Sequence, residues 1–455
     1  MSVSAGSRRR RRPKSPRDVA LNVLYHVDTR KAFSDLQLNR ALKTGALETR
    51  DVALVTEIVN GSIRWRGRLD WILVKYVAAG IDTLSPWVLN ILRMGLYQIL
   101  FLDRIPPHAA VDESVKLAKR YGHSGAAGLV NAVLRRVLRE RASLADPEDV
   151  IDDPVRALAA AYSHPEWLVE RWLERFGPEE TRELLMADNL APPMGLRVNP
   201  MKTDRETLRK SLEAAGVEVE AGAYSRLALR VRGNLVPARI PEFADGQFFI
   251  QDESETLVVE LLGPEEEETV LDLCAAPGGK ACQIQESRSC RGRVLAVDVH
   301  GGRLRRVEEN VERMGLSGIR CVQADGAELA LAESVDRVLV DAPCSGLGVL
   351  ARRADARWRK TRASIRALLP LQAALLEGGA NHLRPGGTLV YSVCSIEPEE
   401  GIAQVRRFLE AHPDYEREDA GERLPEATIR DGCLFMLPHK HRTDGAFAAR
   451  LRRKR

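Results

Sequence analysis

No run of the 455-residue chain approaches the roughly 18 apolar residues that a membrane-crossing helix needs. The basic start, Arg8 to Arg12, leads into Pro13-Lys14-Ser15-Pro16 and not into the apolar core of a secretory signal, so a cytoplasmic protein with no membrane partner is expected. Cysteine is missing ahead of Cys274. The seven cysteines that follow (Cys274, Cys282, Cys290, Cys321, Cys344, Cys394, Cys433) form no CxxC pair, which argues against a disulfide framework and against a zinc site. No metal is expected. Net charge is small as well: 68 Lys and Arg against 64 Asp and Glu give +4, too little to demand a polyanionic partner, and only 12 of the cations are lysine. The ends are more basic, with six Arg and one Lys between residues 8 and 17, and with Arg450, Arg452, Arg453, Lys454 and Arg455 at the close. Read as solvated tails, these two runs would neutralise several phosphates.

Hydrophobic residues make up 44% and charged residues 29%, a globular balance, and the length suggests about three domains. Residues 1–15 form a basic tail. From 16 to 142 apolar residues recur at three and four positions (Val19, Val23, Leu24, Val27; Leu92, Leu96, Ile99, Leu100), and turn signals at Thr44-Gly45, Ala79-Gly80 and Pro106-Pro107 divide an all-α bundle. In its last helix Asn131, Arg135 and Arg139 share one face, either a basic stripe for RNA or an ordinary solvated surface. The acidic, aperiodic stretch 143–154 reads as a linker. Residues 155–244 combine two helical segments (166–177, 204–216) with the β-prone pieces GLRVN at 195–199 and LALRVRG at 227–233, a small α+β module.

From 245 to 455 short apolar strands alternate with glycine turns and helices: TVLDLC at 269–274, RVLAVDV at 293–299, IRCVQAD at 319–325, DRVLVDAP at 336–343 and GTLVYSVC at 387–394. Five such strands predict a doubly wound parallel sheet of the Rossmann-like α/β class, whose ligands bind at the carboxyl ends of the strands. The motif DLCAAPGGK at 272–280 is neither GxGxxG nor a P-loop. Its glycines let a ligand approach the backbone. With Asp298 and Asp325 at the next two strand ends it reads as an adenosine-type pocket lacking a polyphosphate site. The motifs DAPCSGLG at 341–348 and YSVCSIEPEE at 391–400 each set a cysteine just past a strand. Cys344, Cys394 and Asp341 then form a set suited to thiolate attack on a flat electrophilic ring.

These motifs, in this order and spacing, resemble those of the RNA cytosine-C5 methyltransferases that use S-adenosylmethionine. RDVALVTEIVNGSIRWRGRLDWIL at 50–73 and the stretch 103–136 are similar to a NusB-like domain, and SHPEWLVERW at 163–172, LRVNP at 196–200 and GQFFIQDESE at 246–255 to a middle segment, of one subgroup, the Sun or Fmu family of ribosomal RNA small-subunit methyltransferases. The resemblance, which runs from about residue 16 to 453, implies a NusB-like RNA-binding bundle at 16–142, an RNA-binding module at 155–244 and a methyltransferase domain at 245–455. It implies methylation of C5 of a cytosine in 16S ribosomal RNA, cytosine 967, through a covalent cysteine–C6 intermediate. By the same resemblance Cys274, Ala275, Ala276, Pro277, Gly278, Gly279 and Lys280 cradle the methionine end of the cofactor, Asp298 holds its ribose and Asp325 flanks its adenine. Cys394 is then the nucleophile, Cys344 assists product release, and Asp341 stands between cofactor and target base. Val393 departs from the pattern, where Thr is usual.

Three alternatives remain at this stage: another RNA such as tRNA, a nucleophilic Cys344 as in DNA cytosine-C5 methyltransferases, and a non-catalytic RNA-binding assembly factor. Trp358, within RRADARWRK at 352–360, suits either a base-stacking loop or an anchor to the core. No apolar heptad is found, so a monomer is the default.

Overall fold

The structure, a computed structural model, describes residues 15–43, 47–233 and 235–455; the basic run at 8–12 and the Thr44-Gly45 turn signal lie outside the described residues. The described residues fall into two compact units, one running to Asn189 together with Arg353–Arg359, the other Leu190–Arg352 with Lys360–Arg455.

The first unit is helical. Ser15 and Ser85 each accept a hydrogen bond from a first-turn N–H, ahead of Pro16 and Pro86, and so start the helices Pro16–Arg30 and Pro86–Phe101 where the sequence signals them. The second of these is buried along most of its length and carries Arg93, which donates to Asp70 (2.7 Å) and Asp28 (2.9 Å). Around it stand Thr49–Arg64, Arg66–Tyr76, Pro107–Tyr121 and Ala126–Glu140. Arg135 on the last helix is exposed and donates to Asn131 at 2.8 Å.

Three features of this unit differ from the sequence expectation. The acidic stretch 143–154 holds a helical turn, Pro147–Val150, whose Glu148 accepts from Tyr162 (2.9 Å) and Arg182 (2.8 Å). The helix read at 166–177 in the middle module runs over Glu166–Ala187 and belongs by packing to the helical unit, as does the helix Pro154–Tyr162, which the sequence does not single out. So does the segment 353–359: Ala354 joins the helical core, the Trp358 Nε1–H donates to Ile63 O at 2.8 Å, and buried Arg357 donates to Asp188 O (2.9 Å) and Asn189 Oδ1 (2.7 Å). Trp358 is an anchor.

The second unit begins with four antiparallel strands, β1 (Met194–Val198), β2 (Glu218–Ala221), β3 (Ala228–Arg232) and β4 (Phe248–Ile250), in the order β2-β3-β1-β4. The helix Arg205–Ala214, capped by Asp204, buries Leu208 and Leu212 in the same apolar cluster as Leu196 and Val198. A nine-stranded sheet follows. Its strands are β5 (Thr269–Leu273), β6 (Arg293–Asp298), β7 (Ile319–Gln323), β8 (Val335–Asp341), β9 (Leu383–Val393), β10 (Tyr415–Glu418), β11 (Ile429–Arg430), β12 (Cys433–Met436) and β13 (Ala446–Arg453). Side chains alternate along β5. Val270 packs with the helices Glu253–Leu262, Gly279–Glu286 and Gly301–Met314, whereas Leu271 and Leu273 pack with Leu369–His382 and Ile402–Ala411, so the sheet is covered on both faces.

The five strands read from the sequence form the parallel part, β7-β6-β5-β8-β9. The sheet is not parallel throughout: β13 lies antiparallel to β9, and β12 and β10 are antiparallel to β13. This corrects the reading of the C-terminal basic run as a solvated tail. Arg450 is 3% exposed and donates to Leu261 O (2.9 Å), Leu262 O (2.7 Å) and Glu418 (2.5 Å), while Arg453 donates to Leu383 O at 2.6 Å. Arginine here satisfies carbonyls at a helix end, which composition alone cannot distinguish from a phosphate-binding tail. Arg450→Ala strands these acceptors and Glu418, and is expected to cost about 3 kcal/mol in urea unfolding followed by circular dichroism; a change below about 0.5 kcal/mol, the surface range, would contradict this role.

Candidate functional site

Parallel strands all end at one edge, so the residues that follow β5, β6, β7, β8 and β9 are delivered to a single side of the sheet. After β5 the chain turns through Cys274 at φ 64°, Ala275, Ala276 and Pro277, joined to Ala276 by a cis peptide, to Gly278 at φ 102°. The positive φ at Gly278 favours glycine, and a Cβ there would press on Val307 at 3.1 Å. The helix Gly279–Glu286 starts there. Ala275 N–H donates to Val297 O at 2.9 Å and ties the turn to β6.

Asp298 closes β6 and is buried. Its Oδ1 accepts from His300 N–H at 2.9 Å; its Oδ2 has no hydrogen-bond partner and stands 3.5 Å from the Arg303 guanidinium. A buried acceptor left open at a strand end suits a hydroxyl of a bound sugar. Val299, next in the chain, is 53% exposed and offers an apolar surface beside it. Asp325 follows β7 and is exposed, with Oδ1 accepting from Ala327 N–H at 3.0 Å, so part of its capacity is spent on its own turn.

At the end of β8, Asp341 is held from two sides. Lys280 Nζ donates to Oδ2 at 2.8 Å and Ser392 Oγ to Oδ1 at 2.7 Å, which joins the glycine-turn helix, β8 and β9 at one carboxylate. Burial by itself would lower the pKa of Lys280, but Asp341 and Glu255 outweigh it and hold the ammonium charged. Asp272 in β5 has neither oxygen hydrogen-bonded, and its pKa is pushed well up, first by burial and then by Asp341, against the opposing pull of Lys280.

The two cysteines singled out from the sequence meet: Cys344 Sγ and Cys394 Sγ are 3.1 Å apart, each partly exposed. The Cys344 thiol is held well above its ordinary pKa, by the hydrogen bond with Cys394 first, then by burial, then by repulsion from Cys394 and Glu400. Cys274 is pushed up to about 12 by burial and by the carboxylates of Asp341 and Asp272, which keeps it an unreactive thiol. Val393 is 2% exposed and sits in the apolar cluster with Phe447. Among the described residues no group of three or more His, Cys, Asp and Glu is arranged to hold a metal ion, and no helix is long and apolar enough to cross a membrane.

Sequence reasoning missed Ser392 and the buried Glu400, although both fall inside the quoted YSVCSIEPEE motif. Their partners, Asp341 and Ser345, are 51 and 55 positions away, and no local pattern reports such a contact. Asp272 was visible as the acidic strand end, but its isolation from donors was not.

That isolation gives a pH test. Folding raises the Asp272 pKa, so the stability contributed by its neutral form is complete below the unfolded value of about 4 and is lost as pH rises through the folded value. Asp272→Asn stays neutral throughout. Its unfolding midpoint should gain on that of the wild type between pH 4 and pH 8, and a difference that does not grow with pH would refute the assignment.

Comparison with known proteins places these elements in a family. Residues 259–452 match the family model described as 16S rRNA methyltransferase RsmB/F, residues 164–237 its ferredoxin-like domain, and residues 14–139 the NusB family. The chain is 38% identical over 448 residues to the probable ribosomal RNA small subunit methyltransferase B of Bacillus subtilis, covering 97% of this chain and 99% of that protein. It is 35% identical over 408 residues to the ribosomal RNA small subunit methyltransferase B of Serratia proteamaculans, covering 89% and 91%. The crystal structure of PH0851 is similar with a TM-score of 0.79 at 26% identity, covering 96% of this chain and 99% of that one. With a NusB-like helical domain, a ferredoxin-like module and this strand-end site in one chain, the protein belongs to the ribosomal RNA small subunit methyltransferase B family.

Proposed function

We propose that the protein methylates C5 of a cytosine in 16S ribosomal RNA, with S-adenosylmethionine as methyl donor and a covalent bond from Cys394 to C6 of the base. The observation that carries this reading is the pair of thiols 3.1 Å apart beside an Asp341 fixed by Lys280 and Ser392. The residues present fit the cofactor: Asp298 Oδ2 is a buried acceptor without a hydrogen bond, suited to the ribose, the turn 274–280 ties the end of β5 to a helix start, and Asp325 at the end of β7 would face the adenine by the family resemblance. When bound, S-adenosylmethionine supplies an electrophilic methyl group.

Cytosine C5 is a poor nucleophile, and the protein's task is to make it a better one. The Cys394 thiolate adds to C6, forming the S–C6 bond and shifting the C5–C6 electron pair toward C5. Asp341, an acceptor already anchored by two donors, stabilises the protonated N3 that this addition requires. C5 then takes the methyl group, loses its proton to a base, and the S–C6 bond breaks to restore the ring and the thiolate. Cys344, kept as a thiol 3.1 Å from the attacking sulfur, assists this release. A stacked base hides C6, so the target is unstacked or single-stranded when it reacts. The NusB-like helices, with Arg135, Arg136 and Arg139 exposed on one helix, and the ferredoxin-like module hold the surrounding RNA. Family resemblance points to cytosine 967.

The test is methyl transfer from labelled S-adenosylmethionine to unmethylated small-subunit ribosomal RNA. Wild type should label a cytosine, Cys394→Ala should lose at least about 1,000-fold in rate, and Cys344→Ala should accumulate a protein–RNA adduct that survives denaturing electrophoresis. Transfer by Cys394→Ala at the wild-type rate overturns the assignment of the nucleophile, and transfer to tRNA alone overturns the substrate.

A further inference from the structure

Each of the two reactive cysteines is followed by a serine, Cys344-Ser345 and Cys394-Ser395, and both serines meet one carboxylate. Glu400 is fully buried in the turn before the helix Ile402–Ala411. Its Oε2 accepts from Ser345 Oγ at 2.5 Å and from Ser395 Oγ at 2.6 Å; its Oε1 accepts from Ser345 N–H at 2.7 Å and from Gln372 Nε2 at 3.1 Å. All four donors are neutral. Four hydrogen bonds fill the acceptor capacity of a carboxylate. Gln372 also donates to Pro343 O at 3.1 Å, and Tyr391 OH to Glu400 O at 2.7 Å, so the carboxylate is braced on both strands that lead to the thiols.

Burying a charge without a cation costs stability unless each of its lone pairs is used. Here the outlay is spent within one residue of both sulfurs, and the backbone completes the frame: Gly348 N–H donates to Cys394 O at 3.2 Å and Gly445 N–H to Gly348 O at 2.7 Å. A Cβ at Gly348 would come within 3 Å of Gly445, so the two loops and the 443–445 turn close directly on one another.

We propose that Glu400 is a positioning residue that pins the two Cys-Ser turns to each other and thereby sets the spacing of the Cys344 and Cys394 thiols for addition and release. This rests on the cytosine-methylation reading for its catalytic consequence, but the spacing is measurable without RNA. Under hydrogen peroxide two thiols this close give up two hydrogens to form a disulfide while peroxide is reduced to two waters, and the rate of linkage between peptides containing Cys344 and Cys394, followed by mass spectrometry, reports how the turns are held.

The variants are Glu400→Leu, which keeps bulk and removes all four hydrogen bonds, Glu400→Gln, which keeps the span because serine hydroxyls accept as well as donate, and the double variant Ser345→Ala with Ser395→Ala. For Glu400→Leu we expect linkage slowed about tenfold and kcat lowered about 100-fold, the scale of an ångström-sized misplacement, with KM for S-adenosylmethionine unchanged within about twofold. Glu400→Gln should restore linkage and kcat to within about threefold of wild type, which a loss of packing alone would not do. Should Glu400→Leu fail to fold, judged by its circular dichroism, the serine double variant decides, with the same direction of change expected. Wild-type linkage and wild-type kcat in a folded Glu400→Leu or serine double variant overturn the proposal. A wild-type protein inactive on RNA, with linkage responding to the variants as described, overturns the methylation reading and leaves the positioning role standing.

Discussion

The ion pair between Lys280 and Asp341 is the contact on which the site depends. Lys280 lies in the first turn of the helix that leaves the glycine turn, and Asp341 closes a strand that neighbours β5 in the sheet, so their 2.8 Å contact fixes the candidate cofactor turn against the candidate base site. Ser392 extends the link to β9, two positions before Cys394. Three carboxylates, Asp272, Asp298 and Asp341, gather at this edge, and burial, with Asp341 and Asp298 adding to it, drives Asp272 toward the neutral form. The Lys280 ammonium, held charged against its burial by Asp341 and Glu255, is the counter-charge among them. Coulomb attraction in a largely buried setting is strong enough to impose such an order, and a water-filled cleft would screen it away.

The sequence carries the parallel core because its signals are local. A buried strand needs an apolar run, a strand end before a site needs a glycine or an acidic residue, and TVLDLC, RVLAVDV and DRVLVDAP satisfy these conditions within a few residues each. The missing parts rest on distant partners. The run 450–455 reads as a basic end because nothing nearby reveals that Arg450 reaches the carbonyls of Leu261 and Leu262, nearly 190 positions away. The helices at 154–187 have ordinary amphipathic patterns, and only packing assigns them to the helical unit. Trp358 illustrates the same limit: an aromatic flanked by arginines suits stacking on a base, yet its indole N–H is committed to Ile63 O.

In the site the identity of the residues was legible and their relations were not. The motifs name Cys344, Cys394, Asp341, Asp298 and the glycine turn, but not that the two sulfurs touch or that one thiol is held protonated. Those properties come from what surrounds each group: Cys344, partly exposed, hydrogen-bonds to Cys394 and lies near Glu400, while Cys274, just after the neighbouring strand, is silenced by burial and then by Asp341 and Asp272. In the proposed reaction Cys394 attacks the base and Cys344, held as a thiol, serves the release step.

The claim that Cys394 bonds to the base is tested most directly with RNA carrying 5-fluorocytidine at the target position. Fluorine at C5 cannot leave as the proton does, so the adduct formed after methyl transfer persists and can be digested and mapped by mass spectrometry. The account predicts the nucleotide on the peptide that contains Cys394. A nucleotide on the Cys344 peptide, or methyl transfer with no adduct on either, would contradict it.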